Sequence, residues 1–179
     1  MRLVTISLLM LLLVFPDNTD YFEQLFNTRI DYETNEGSAA VFASDLNGDN
    51  YLDLAVANAG SHDISIMLNN GDGTYQTAVN YPTGGSEPWS VFAADFDGDG
   101  LQDFVMQTDD NALSFFRGEP TGRLFADDAV TRRVPLPRNG ELVAADDING
   151  DRLADLVIRY NAADGKAAAR TVRLLIAKP

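Results

Sequence analysis

The sequence predicts an all-β fold: β-propeller blades of four antiparallel strands, about three of them, forming a partial or open propeller. Three observations lead there. An acidic stretch occurs three times, as DLNGDNYLD (45–53), DFDGDGLQD (95–103) and DINGDRLAD (147–155), with first aspartates 50 and 52 residues apart. Repetition at that period matches one four-stranded blade. Each stretch is flanked by apolar segments of strand length, and the links that follow are rich in Asn-Gly and Asp-Gly, which favour the positive φ of tight hairpins.

The elements follow in order. A first strand ends each time in small residues, AAVFAS (39–44), WSVFAA (89–94) and ELVAAD (141–146), as expected where inner strands crowd a propeller axis. A second strand leaves the acidic stretch: LDLAVAN (52–58), LQDFVMQ (101–107) and LADLVIRY (153–160). In the first of these Leu52, Leu54 and Val56 alternate with Asp53 and Ala55, the period-two signature of a strand. A third strand is expected at ISIML (64–68), ALSFF (112–116) and TVRLLI (171–176). The fourth is expected at YQTAVNYPTGG (75–85) and, less distinctly, AVTRRVPLP (129–137).

The blades therefore run about 38–81, 89–137 and 141–179, and the last lacks its own fourth strand. FNTRIDYETNEG (26–37) aligns with the fourth segment, so an orphan outer strand is expected over 26–33. Propellers have four to eight blades. The expectation is a piece of a longer protein; the alternative is an assembly in which further blades pair in the same or another chain.

Composition narrows the function. The chain has 179 residues with 27 acidic against 13 basic, a net charge of −14, which argues against a nucleic-acid partner. Ten of the 27 acids lie in the three stretches, and local negative charge of that density suggests a cation. There is no cysteine, so disulfides, thiolate metal sites and cysteine nucleophiles are absent. Residues 1–15, MRLVTISLLMLLLVF, read as a secretory signal too short to span a bilayer, followed by a linker over 16–25. The alternative is an internal Met with the apolar run as a buried strand.

Counting the first Asp as position 1, each loop offers oxygens at positions 1, 3, 5 and 9. These are Asp45, Asn47, Asp49 and Asp53; Asp95, Asp97, Asp99 and Asp103; Asp147, Asn149, Asp151 and Asp155. The carbonyls of Tyr51, Leu101 and Leu153 at position 7 would complete the shell. Oxygen donors in a turning loop, without His or Cys, describe a hard-cation site, best matched by Ca²⁺. Gly48, Gly98 and Gly150 at position 4 let the turn close. An EF-hand is excluded, because position 12 (Val56, Met106, Ile158) falls in expected strands and no helices flank the loop.

The units resemble the FG-GAP or VCBS repeats of bacterial surface proteins and integrin α-subunit propellers, over roughly residues 26–179. In that family a D-x-[DN]-x-D-G-x-x-D loop joins the first two strands of a blade and binds Ca²⁺. The resemblance implies up to three Ca²⁺ ions, held by the residues above, in an extracellular, cell-surface or periplasmic protein. The chain departs from the pattern at position 6, where Gly is usual and Asn50, Gly100 and Arg152 stand. Arg152 would strain a left-handed turn by roughly 1 kcal/mol. The second loop, with four carboxylates and Gly100, is expected to bind tightest and the third weakest.

Other residues read as structural. NNGDGTY (69–75) is a turn, and His62 lies in a surface loop. Trp89 is expected in the core or in blade packing rather than as a sugar platform. Arg132 and Arg133 fit a solvated outer strand, and the insertion NAADGKAAA (161–169), flanked by Arg170, is a possible contact loop. The favoured function is a non-catalytic interaction or adhesion module for a protein or glycan ligand, without a transmembrane span. A carbohydrate-binding propeller is the alternative, and a hydrolase or lyase the least favoured.

Overall fold

In the computed structural model, residues 30–83, 87–119, 125–161 and 170–177 are described, with backbone alone for 125–131, 161 and 170. The first sheet is β1 (Ser38–Ser44), β2 (Asp53–Asn58), β3 (Asp63–Met67) and β4 (Val79–Pro82), in that order. The second is β5 (Pro88–Ala94), β6 (Asp103–Thr108), β7 (Ala112–Gly118) and β8 (Phe125–Pro135). The third holds β9 (Glu141–Asp146), β10 (Asp155–Asn161) and β11 (Arg170–Leu175). Every pairing is antiparallel. The described part is thus all-β, three blade-like sheets that do not close into a barrel. Among the described residues no helix is long and apolar enough to cross a membrane.

The three first strands fall where expected, and each acidic loop joins the first strand of its sheet to the second. β4 is shorter than its expected span because the preceding residues are used otherwise. An isolated bridge pairs Asn69 with Tyr75, and the Asn70 amide donates to the Thr74 carbonyl at 2.9 Å, so residues 69–75 form a closed turn. Ile30–Glu33 carry no strand. Residues 1–15, 16–25 and 26–29, with the expected signal, linker and start of the orphan strand, lie outside the described residues, as do 162–169 of the insertion.

The blades all belong to one compact unit, Glu33–Pro179, and its core lies between sheets. Ala55, Ala57, Ile64 and Ile66 of the first sheet bury against Val91, Ala93, Phe104, Met106 and Phe116 of the second. On the opposite face of the second sheet, Val105 and Leu113 bury against Leu142, Leu156 and Ile158. Successive side chains of β6 thus serve different neighbours, as the alternation of a strand dictates. Phe104, Val105 and Met106 are fully buried; at about 25 cal/mol per Å² such side chains supply most of the drive to stack the sheets. First strands adjoin across the blades, and the Phe42 and Phe92 rings meet with centroids 5.4 Å apart.

Polar groups also cross between blades. The Gln107 side chain donates from Nε2 to the Gly140 carbonyl at 2.8 Å and accepts the Leu142 N–H on Oε1 at 2.8 Å. One amide thereby mimics a strand partner for the start of β9.

Trp89 corrects an expectation. It is not core: it lies within β5 and is 53% exposed. The β5–β6 register shifts between Pro88 and Ser90, and a bulge there re-aims the side chain. Arg132 and Arg133 sit on the solvated outer strand as expected, with Arg133 ion-paired to Asp110.

Candidate metal centre

Each acidic loop is folded by its own carboxylates. At position 1, Asp45 accepts N–H groups from Gly48 (2.7 Å) and Asp49 (3.1 Å) on Oδ1 and from Asn50 (2.8 Å) on Oδ2. Asp147 does the same with Gly150, Asp151 and Arg152, and Asp95 with Gly98 and Gly100. At positions 3 and 5 each Oδ1 accepts the N–H two residues on, forming Asx turns. Asn47 takes Asp49 and Asp49 takes Tyr51; Asp97 takes Asp99 and Asp99 takes Leu101; Asn149 takes Asp151 and Asp151 takes Leu153. The curl that brings alternate side chains together is therefore written into the backbone.

Left-handed residues complete the curl. Position 4 has φ of 81°, 80° and 84° at Gly48, Gly98 and Gly150, which favours glycine. Position 6 is left-handed too, at Asn50 (69°), Gly100 (85°) and Arg152 (75°). Arg152 thus adopts the left-handed backbone conformation expected of position 6, which costs a residue with a Cβ about 1 kcal/mol.

The aspartate at position 9 has a role that sequence reading missed. Asp53 and Asp155 are wholly buried and Asp103 nearly so. Each spends both oxygens on main-chain amides, one within its loop and one at or just past the end of the third strand. Asp53 accepts from Leu46 (3.0 Å) and Asn69 (2.7 Å). Asp103 accepts from Phe96 (3.0 Å) and Gly118 (2.7 Å), and Asp155 from Ile148 (3.1 Å) and Ala177 (2.8 Å). Position 9 is therefore a latch between loop and third strand. A carboxylate oxygen has a second lone pair, so the latch leaves room for a ligand role.

Electrostatics reflect this packing. Burial pushes the carboxyls of Asp53 and Asp103 above the usual range; their amide partners pull the other way, and neighbouring loop aspartates push further up. Asp45 differs. Desolvation is its largest single influence and acts upward, but N–H donation from Asn50, Gly48, Asp49 and Asn47 together outweighs it and holds the carboxyl below the usual range.

The donor set suits a hard divalent cation. It is all oxygen, and one carboxylate oxygen from each of Asp95, Asp97 and Asp99 lies within 4.8 Å of the others. The residues that would hold an ion are those at positions 1, 3 and 5 with the position 7 carbonyl, and position 9 at the inner edge. In the first and third loops the position 3 side chain is an amide, and Asn47 and Asn149 donate from Nδ2 to Asp49 Oδ2 (2.9 Å) and Asp151 Oδ2 (3.0 Å). In the second loop Arg117 takes that place, with Nε 2.7 Å from Asp97 and Nη2 2.9 Å from Asp99. Sequence reading did not include Arg117; the available signal was its position one residue before Gly118, the latch partner of Asp103.

The loops pack against one another. The Ala154 N–H donates to the Asp95 carbonyl at 3.1 Å, and a Cβ on Gly98 would stand 3.0 Å from Leu153 Cδ2. Among the other candidates, His62 occupies an exposed left-handed turn position between β2 and β3.

A family model described as an FG-GAP-like repeat matches the chain twice, over residues 45–106 and 95–158. No match was found among curated proteins or among solved structures. Each family match begins on position 1 of one loop and runs through the next loop into the following second strand, so the repeat seen in the sequence, in the sheets and in the hydrogen bonds is one and the same. The chain belongs to the FG-GAP-like repeat family and is a β-propeller-type repeat module.

Proposed function

We propose that this chain is a non-catalytic calcium-binding module of the extracellular space, cell surface or periplasm, in which up to three Ca²⁺ ions fasten loops to blades and the assembled sheets present a surface to a protein or glycan. The observation that carries the reading is the threefold repetition of one loop geometry. Three times, alternate oxygen-bearing side chains are curled by the same amide hydrogen bonds. Unneutralised carboxylates at such spacing repel, and a divalent ion removes that cost. FG-GAP repeats are typical of extracellular or surface proteins and are generally non-catalytic, which supports both the location and the absence of an assigned catalytic residue.

Thermal melting with EDTA and with calcium tests the metal. At a Kd near 10⁻⁴ M, a value of extracellular modules, 10 mM calcium gives about 2.7 kcal/mol per site. The melting temperature then rises by several degrees; identical melts with chelator and with calcium refute the reading. A carbohydrate-binding reading is favoured by one observation, the exposure of Trp89, whose ring offers a stacking face. Glycan-array binding that is lost in Trp89→Ala supports it, and no binding by the parent protein removes it.

A further inference from the structure

The three loops share one hydrogen-bond frame but differ at positions 3 and 6 and in the cation that meets their carboxylates. In the second, the guanidinium of Arg117 spans the Oδ2 atoms of Asp97 and Asp99, at 2.7 and 2.9 Å. Oδ1 of each is already committed to a main-chain N–H, of Asp99 and of Leu101. The two Oδ2 atoms carry no main-chain hydrogen bond among the described residues, and one side chain meets both. The latch fixes which residues are equivalent across blades: Asn69, Gly118 and Ala177 each donate to a position 9 carboxylate. One residue earlier stand Leu68, Arg117 and Ile176. Two blades thus carry an aliphatic side chain where the second carries a guanidinium, and the second is the loop with carboxylates at positions 1, 3, 5 and 9.

We propose that Arg117 is a built-in counter-ion of the second loop, which a divalent cation must displace from Asp97 and Asp99 before it can bind. The proposal rests on the calcium reading above and reverses the ranking drawn from carboxylate number: the fourth carboxylate is matched by an internal cation, and the second loop is not the tightest site. A planar, bidentate guanidinium suits a pair of carboxylates better than an ammonium does. Its hold is nonetheless modest because the pair is open to solvent, where such contacts shift an equilibrium up to about fivefold.

The test is calcium titration by calorimetry on the full chain, comparing the parent with Arg117→Leu and Arg117→Lys, each also melted in EDTA. Leucine is the residue of the first blade at this place, so the variant keeps a side chain the fold accepts. The expected result is one site tightened about fivefold in Arg117→Leu, a smaller gain in Arg117→Lys, and a gain that disappears when Asp99→Asn is added. In EDTA, Arg117→Leu melts below the parent, because the carboxylates have lost the guanidinium that meets them. Calcium binding to the parent with no site tightened in Arg117→Leu overturns the inference and leaves the calcium reading standing. Absence of calcium binding in the parent and in Arg117→Leu alike overturns both.

Discussion

Asp53→Asn separates the latch from the metal. The native carboxylate is fully buried and accepts two N–H groups, from Leu46 at 3.0 Å and Asn69 at 2.7 Å. Asparagine offers one acceptor oxygen and turns an NH₂ toward the other amide, so one bond weakens from charged to neutral and one is lost. Hydrogen bonds to a charged group contribute about 1.5–3 kcal/mol, and an unsatisfied buried donor costs about 1–3 kcal/mol. Relief of the buried charge offsets part of this, since burial is what raises the Asp53 carboxyl. The net expectation is a loss of about 2 kcal/mol, or roughly 4–8 °C in melting temperature for a chain of this size. The assay is thermal or urea unfolding in EDTA, where no metal term enters. A residue whose sole task is to ligate calcium would be neutral or stabilising to remove under those conditions. Asp53→Asn unfolding within about 0.5 kcal/mol of the parent in EDTA would refute the latch.

Other outcomes follow from the same geometry. Arg152→Asn, which installs the position 6 residue of the first loop, should gain roughly 1 kcal/mol by relieving a φ of 75°; an unchanged urea midpoint contradicts it. Gln107→Ala removes both bonds to Gly140 and Leu142 and should lose about 1–2 kcal/mol, with faster amide exchange at Leu142 as a local readout. For pH, the folded carboxyls of Asp53 and Asp103 stand above their unfolded values. In metal-free protein their contribution is therefore fully favourable below the ordinary carboxylate range and is lost as pH rises through the raised folded values. Asp45, held below the usual range, contributes the opposite slope, so the readout is the difference between the parent and Asp53→Asn. The variant's metal-free stability should fall less with rising pH; identical pH profiles would contradict the assignment. With calcium the dependence opposes this, because the ion needs ionised ligands, so the calcium-induced shift should shrink on acidification.

Much of this protein was legible in its sequence because its information is local. Alternation in LDLAVAN and the small residues ending AAVFAS depend only on neighbours in the chain, and both became strands close to the expected bounds. The loops were legible for the same reason: oxygens at alternate positions with Gly at position 4 are a statement about a few consecutive residues. What escaped depends on register between distant strands. The partners of Asp53, Asp103 and Asp155 lie 16, 15 and 22 residues away, and Arg117 reaches Asp99 across 18. Trp89 was misjudged because burial was inferred from its place beside an inner strand, while a bulge decides where the ring goes. Gln107 looked like one more polar residue in a strand until a neighbouring blade supplied its partners.

The two-sided burial of β6 limits how this chain can change length. Phe104 and Met106 fill one seam while Val105 fills the other, so deletion of one residue ahead of Phe104 would exchange the contents of both seams at once. Neither seam could keep its volume. Indels are therefore tolerable at hairpin tips such as 71–73, where the frame of every strand and the Asn69 latch are preserved, and ruinous inside the middle blade.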